Sequence, residues 1–363
     1  MIAIIVYTIT GIYLLMVILF TIGWLKTPTF KPNKSLENPL VSLVVCCKNE
    51  AQNLPHLLQS IEQQTARKFE VIFANDHSTD ETPEILTNFC AKNPHAKLIH
   101  TTKHGKKNAL REAILHANSD VIVCSDADCV LTPNHLEILA NYFAQHNPDL
   151  LLGGVKMNYN HTLFQQLQAL EFASLIASAA GACGLGSPIM SNGANMAFTK
   201  AIWEKYNHEL HDEELSGDDM FLMMAVKKNN GHIAFIKNPD AVVETGPQTT
   251  LKKFLNQRMR WTSKTKSYTD WQTIFVATLI FTISILFLAL FMGGFWDKTL
   301  FNTLVIAFVA KWLSDTAFLT LFLPFYNQRR LIPYTLALSV VYPIYIVYSA
   351  SAGLFGKFRW KQA

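Results

Sequence analysis

The stretch Asp120-Val121-Ile122-Val123-Cys124-Ser125-Asp126-Ala127-Asp128-Cys129 (DVIVCSDADC) runs an apolar segment into two carboxylates. A short, continuous apolar run bounded by polar residues suits a strand covered on both faces, so residues 120–125 read as a buried strand. Side chains alternate along an extended backbone, and Asp126 and Asp128 therefore leave the strand end on the same side. Outward from this strand the periodicity alternates. Val41–Cys47 is apolar and β-branched, and Leu54, Leu57, Leu58 and Ile61 recur at helical spacing. Phe69–Ala74 reads as a strand, Asp80–Cys90 as a helix and Lys97–Thr101 as a weaker strand. Asn108–Ala117 and Pro133–Phe143 read as helices, and Leu150–Met157 as one strand. Strand–helix alternation of this kind predicts an α/β domain with a largely parallel sheet.

The chain has 363 residues, half of them hydrophobic, at the upper end of what one soluble domain uses, which points to a domain plus further segments. Residues 2–25 and 273–296 carry no charge and are long enough to cross a bilayer. Residues 301–325, interrupted by Lys311 and Asp315, and 331–355, containing Pro333 and Pro343, form two more such segments. The first lacks a basic leading region and reads as an uncleaved anchor rather than a signal peptide. Lys26, Lys31 and Lys34 follow it, which puts the next domain in the cytoplasm by the positive-inside rule. Lys264, Lys266, Arg329 and Arg330 fit that orientation, whereas Lys357, Arg359 and Lys361 after a fourth span do not. Residues 172–190 are also uncharged, but they are rich in Gly, Ala and Ser and read as a buried or interface-lying helix of the domain. The expected organisation is a transmembrane helix over 1–25, a linker over 26–40, a cytoplasmic domain over 41–266 and three membrane segments over 272–356. The chain is expected in a plasma or inner membrane as a multi-pass protein, in contact with membrane lipids.

The net charge of +4 is modest, with part of it flanking the apolar segments. No basic stripe suggests a nucleic-acid partner. The six cysteines show no paired metal-type spacing and read as small core hydrophobes. The 12 histidines form no HExxH-like cluster.

Ligands of open parallel sheets bind beyond the carboxyl ends of the strands. Polar residues gather there: Lys48-Asn49-Glu50 after the first strand, Asn75-Asp76-His77-Ser78 after the second, and Asp126 and Asp128. Ser78, Thr79 and Asp80 equally suit a helix cap. Paired carboxylates off a strand end suit a hard divalent cation, which leaves positions for substrate phosphates. Ser216-Gly217-Asp218-Asp219 precedes the apolar helix 220–226. Its acids either complement the helix dipole or supply a general base. Gln257-Arg258-Met259-Arg260-Trp261 reads as an interfacial anchor or as an anion clamp with a stacking surface.

In this order the motifs resemble those of membrane-bound family 2 glycosyltransferases of the GT-A fold, the group containing cellulose, hyaluronan and ceramide glucosyl synthases. The resemblance covers residues 40–262, with apolar segments on both sides. It implies a Rossmann-like, largely parallel α/β catalytic domain with flanking transmembrane helices. It implies that Glu50 contacts the donor nucleoside, Asp76 reads the uracil and Lys106, in Gly105-Lys106-Lys107-Asn108, approaches the diphosphate. Asp126 and Asp128 match the Asp-x-Asp motif and would hold Mg2+ or Mn2+. Asp218-Asp219 matches the acidic pair whose second member is the base, so Asp219 carries over. Gln257, Arg258, Arg260 and Trp261 match the Gln-(Gln/Arg)-x-Arg-Trp motif, the diphosphate and acceptor clamp. Asn75 and Asp218 stand where the family often has Asp and Glu. Asn192-Gly193-Ala194-Asn195 either borders the sugar or acceptor or is a turn requiring Gly at positive φ.

The implied reaction is inverting transfer of a sugar from a nucleotide-diphosphate sugar, UDP-linked, to a hydroxyl of a lipid or lipid-linked glycan. A processive polysaccharide synthase is the alternative; three C-terminal spans are few for a polymer channel. A nucleotidyltransferase would need a Gly-rich phosphate loop near the first strand, which Cys46-Cys47-Lys48-Asn49-Glu50 lacks. An inactive membrane scaffold or transport subunit fits poorly with the intact acids.

Overall fold

The computed structural model describes residues 1–214 and 216–355. The Lys357, Arg359 and Lys361 tail therefore lies outside the described residues. In chain order the elements begin with α1 (Ile2–Lys26), β1 (Val41–Cys47), α2 (Leu54–Glu62), β2 (Phe69–Asn75), α3 (Thr82–Lys92) and β3 (Ala96–His100). Next come α4 (Lys106–Leu115), β4 (Val121–Asp126), β5 (Cys129–Val130), α5 (His135–His146), β6 (Leu150–Leu152), β7 (Val155–Met157) and α6 (Leu163–Gly184). β8 (Met196–Thr199), α7 (Lys200–Tyr206), α8 (Asp218–Lys228), β9 (Ile233–Phe235) and β10 (Val243–Thr245) follow. The chain continues through α9 (Leu251–Ser263), α10 (Trp271–Gly293), α11 (Lys298–Phe322) and α12 (Thr335–Phe355).

By packing, these elements form two units. The sheet unit comprises Thr27–Asn158 and Met190–Gly246; the helical unit comprises Met1–Lys26, Tyr159–Ile189 and, among the described residues, 247–355. The expected domain over 41–266 is thus not one packing unit, because α6 and α9 pack among the apolar helices. Nor is 26–40 a free linker. Phe30 is buried, its N–H donates to Lys237 O at 2.9 Å, and the Asn33 N–H donates to Asn141 Oδ1 at 2.7 Å.

The sheet unit is built on seven strands in the order β3-β2-β1-β4-β8-β6-β9. β1 pairs parallel with β2 and β4, β2 with β3, and β6 with β9; only β8 runs antiparallel to its neighbours β4 and β6. The fold is therefore the expected α/β arrangement with a mainly parallel sheet. β1 is almost wholly buried because its apolar side chains face helices on both sides. Ser42 is its polar exception, and its hydroxyl donates to Glu70 Oε1 at 2.7 Å. Glu70 also receives Lys97 Nζ at 3.0 Å and the Asn118 N–H at 2.6 Å, so this buried carboxylate is fully partnered. Burial pushes the Glu70 pKa up, but these hydrogen bonds outweigh it and the net shift is downward.

One strand differs from expectation. Leu150–Met157 breaks at Gly153-Gly154 into β6, in the large sheet, and β7, which joins a second sheet in the order β5-β10-β7. A Cβ on Gly153 would sit 2.3 Å from the Asn195 side chain. Asn195 Nδ2 donates to Gly154 O and Ala241 O, each at 2.8 Å, and so ties the break to the 3-10 turn Pro239–Ala241 that precedes β10.

Among the described residues, five segments of the helical unit are long and apolar enough to cross a membrane: Ile2–Lys26, Leu163–Gly184, Trp271–Gly293, Lys298–Tyr326 and Arg329–Gly353. Four match the expected spans. The fifth, α6, is the most buried of them and packs against α1. Their backbones meet where a Cβ on Gly23 would lie 1.9 Å from Gly181 O, the close approach that small residues permit between apolar helices. Lys311 and Asp315, the charges inside α11, pair at 2.6 Å, and the Tyr13 hydroxyl of α1 donates to Asp315 at 2.8 Å. An ionisable pair among apolar helices is partnered in this way because an isolated charge there is costly.

Candidate active site

Several chain segments converge at the carboxyl end of the parallel strands. After β1, Asn49 adopts φ 53°, a left-handed conformation Asn tolerates, and turns the chain toward the second strand's loop. The Asn49 N–H donates to Ser78 Oγ at 3.0 Å, and the Thr79 N–H donates back to Asn49 Oδ1 at 2.8 Å. Glu50 is half-buried; its N–H donates to Thr82 Oγ1 at 2.8 Å and its Oε2 accepts from Asn53 Nδ2 at 2.7 Å. Asp80 accepts from the N–H groups of Thr82 at 3.0 Å and Ala51 at 3.1 Å, so it has the capping role. Burial raises its pKa, these hydrogen bonds lower it, and the net shift is downward.

Asp76 follows β2 and is buried. Its Oδ1 accepts the Gly105 N–H at 2.9 Å, and its Oδ2 lies 3.8 Å from Lys48 Nζ. Gly105 sits at φ 103°, where a side chain would be strained, and opens α4. Lys106, the first residue of α4, reaches back across the strand ends. Its Nζ lies 2.7 Å from Asp126 Oδ1 and 3.9 Å from Asp218 Oδ2. Burial alone would lower the Lys106 pKa, but Asp126 and Asp218 hold it well above the usual lysine range. Cys46 lies beneath, and burial pushes its thiol up to about 12. All six cysteines are unbridged, in line with packing rather than redox roles.

Asp218 and Asp219 form the first turn of α8, whose preceding Gly217 is left-handed at φ 101°. Asp218 is buried, and Asp219 is half-buried. Asp219 Oδ2 accepts the Gly193 N–H at 3.1 Å and its Oδ1 accepts the Met220 N–H at 2.8 Å. A Cβ on Gly193 would lie 3.5 Å from Lys106 Nζ and 3.7 Å from Asp218 Oδ2. The 192–195 segment thus borders the cluster, and Gly193 is absent from the described residues with positive φ, so the turn does not need glycine for that reason.

Lys107 was not singled out by the motif reading. It is buried, and its Nζ donates to Leu210 O at 2.6 Å, His211 O at 2.5 Å and Glu214 O at 2.8 Å. It thereby ties the loop that leads to Asp218. Its signal in the sequence is only the doubled lysine at a helix start.

Asp126, Lys106, Asp218 and Asp219 are therefore brought together. Asp128 is exposed in the turn beyond β4. Asp126 and Asp128 offer carboxylate oxygens alone, the donor set of Mg2+ or Mn2+. Lys106 is not the sole cation near these acids, since the Lys107 ammonium also interacts with Asp218.

Gln257, Arg258, Arg260 and Trp261 belong to α9 in the helical unit. Arg258 is buried there in an ion pair with Glu171 of α6, and its guanidinium lies over the rings of Trp261 at 4.2 Å and Phe254 at 4.6 Å. Tyr345 Oη of α12 donates to the same Glu171 at 2.6 Å. Arg258 is thus engaged with Glu171 inside the helical unit. Glu171 carries no motif of its own and was not anticipated.

Residues 42–205 match the family model described as glycosyl transferase family 2. The chain is similar to the poly-beta-1,6-N-acetyl-D-glucosamine synthase of Staphylococcus epidermidis, with 25% identity over 225 residues, 61% of this chain and 53% of that protein. It is 27% identical over 138 residues to the synthase of the same name from Staphylococcus aureus strain COL, covering 38% of this chain and 33% of that one. The chain thus spans about half the length of the first of these relatives and a third of the second. Among solved structures, the fold is similar to that of a mannosyltransferase from Pyrobaculum calidifontis, in complex with GDP-Man and Mn2+. The TM-score is 0.59 at 18% identity, covering 94% of this chain and 98% of that one.

Proposed function

We propose that this chain, which carries a glycosyl transferase family 2 domain over residues 42–205, transfers a sugar from a nucleotide-diphosphate sugar, UDP-linked, to a hydroxyl of a lipid or lipid-linked glycan, with inversion. The observation that carries the reading is the grouping of Lys106 with Asp126 and Asp218, beside Asp219 pinned by the Gly193 N–H.

In this reading Glu50 and Asp76 receive the nucleoside at the ends of β1 and β2. Lys106 leaves its carboxylates to meet the diphosphate. Asp128, with Asp126, would hold Mg2+ or Mn2+, which when bound neutralises charge on the leaving diphosphate. Asp219 accepts the acceptor hydroxyl's proton while that oxygen forms its bond to the anomeric carbon. The bond from that carbon to the diphosphate oxygen breaks, and the nucleoside diphosphate leaves with the electron pair. Asp218 positions Lys106 and supports the charge balance. Gln257, Arg258, Arg260 and Trp261 are assigned to the diphosphate and acceptor clamp on the strength of their motif, with Arg258 also pairing with Glu171. Positioning and fixed charge account for most of the acceleration in such a site.

The lysines at 26, 31 and 34 and at 264 and 266 support a cytoplasmic placement of the sheet unit. A second reading, a synthase that polymerises its product, is favoured by the similarity to the poly-beta-1,6-N-acetyl-D-glucosamine synthases. Incubating the purified chain with UDP-sugars and membrane lipids, followed by mass spectrometry, tests both. One added sugar per acceptor supports the first reading, and a ladder of additions supports the second. Absence of nucleoside diphosphate release with every donor would reject both.

A further inference from the structure

Beside the carboxylate cluster, two side chains that the proposed transfer does not use, His77 and His104, gather around Asp76. His77 follows Asp76 directly, and His104 precedes Gly105 at the start of α4. One ligating atom each from Asp76, His77 and His104 lies within 4.8 Å of the others. The two imidazoles stack with centroids 3.7 Å apart at an interplanar angle of 26°. His77 holds φ 54°, a conformation uncommon outside glycine. Its Nδ1 stands 3.4 Å from Asp76 Oδ1 and 3.4 Å from Thr101 Oγ1. Lys48 faces Asp76 Oδ2 at 3.8 Å, which leaves Oδ1 as the oxygen turned to the histidines.

Two imidazoles and a carboxylate form a ligand set that Zn2+ and neighbouring d-block dications accept and that Mg2+ does not prefer. We propose that Asp76, His77 and His104 bind a Zn2+-type dication at a site separate from Asp126 and Asp128, and that its occupation closes the nucleoside end of the donor pocket. The second half rests on the reading of Asp76 as a nucleoside contact. Zn–N distances near 2.0 Å put tetrahedral ligands about 3.3 Å apart, so no pair in the group has to close by more than about 1.5 Å on binding. His104 is exposed in the loop between β3 and α4, so its side chain can rotate inward without disturbing the core. The chemistry sorts the cations: oxygen-only ligands at Asp126 and Asp128 take the hard ion, and the imidazoles take the borderline one.

The test is calorimetric titration of Zn2+ into the full chain in detergent, with excess Mg2+ and no donor. One equivalent should bind, and His104→Ala should weaken it at least tenfold, since even outer partners of a metal ligand contribute that much. Co2+ in place of Zn2+ should give a d–d spectrum without a thiolate charge-transfer band. Zn2+ binding indifferent to His104→Ala, or a thiolate band, overturns the site. UDP binding is then measured with and without Zn2+. Zn2+ should weaken it in the wild type and not in His104→Ala. If Zn2+ binds through His104 while UDP binding is unmoved, the closure of the pocket and the role of Asp76 fall, and the metal site stands.

Discussion

Glu171→Gln removes the negative charge from a buried pair and leaves the Arg258 guanidinium without a counterion. The side chains of Glu171 and Arg258 are only 2% and 4% exposed, so solvent does little to screen the loss. Removing one partner of a buried pair costs about 3–5 kcal/mol. Glutamine keeps an oxygen that can accept from Tyr345 Oη or Arg258, which offsets about 1 kcal/mol. The expected destabilisation is therefore about 2–4 kcal/mol, read by denaturant titration in mixed micelles. Replacing both partners with apolar residues, Glu171→Leu with Arg258→Met, should recover most of it, because neither charge is then stranded. The double-mutant cycle should give a coupling of at least about 2 kcal/mol. Glu171→Gln within about 0.5 kcal/mol of wild type, the range of ordinary surface substitutions, would refute the reasoning. So would single effects that simply add.

Other expectations follow from the same geometry. Asp219→Asn should keep UDP binding and lower transfer by at least about a hundredfold, the low end for removing a general base; wild-type turnover in this variant would refute the assignment. Chelation should abolish transfer, Mn2+ or Mg2+ should restore it, and Asp128→Ala should raise the metal concentration needed for donor binding; an unchanged titration rejects Asp128 as a ligand. Burial lowers His135 to about 4, with contact to the Ala241 backbone opposing part of the shift. A depressed histidine contributes stability that is complete above the unfolded value near 6.5 and is lost as pH falls toward 4. That loss is worth about 3 kcal/mol, so the thermal midpoint should fall with pH more steeply in the wild type than in His135→Leu. Gly181→Leu should separate α1 from α6, since Gly181 already lies where a Cβ would be 2.4 Å from Phe20 O; unchanged thermal stability of the detergent-solubilised protein would contradict that packing.

Continuous apolar runs made β1, β2 and β4 legible, because a strand buried on both faces leaves its signature in consecutive residues. The residues at their ends were legible for the same reason: Asp76 and Asp126 sit where apolar runs stop. The break at Gly153 was not, since what demands it is the side chain of Asn195, far along the chain. The membership of α6 depends on Gly23 meeting Gly181, a contact with no local pattern. The pairing of Arg258 with Glu171 was not legible either, because Glu171 lies at the edge of an apolar run and shows no spacing relation to the arginine. His77 and His104 are likewise brought side by side by the loops after β2 and β3 rather than by any motif.

Lys106 and Lys107 are consecutive residues in the opening turn of α4, yet they face different tasks. One is committed to carboxylates at the strand ends, and the other fastens the 210–214 loop by three carbonyls. One helical turn thus holds both sets of contacts, so a displacement of that turn disturbs the carboxylate pairing and the 210–214 loop together. Inserting one residue between the two lysines would turn them about 100° further apart around the helix and separate the two sets of contacts.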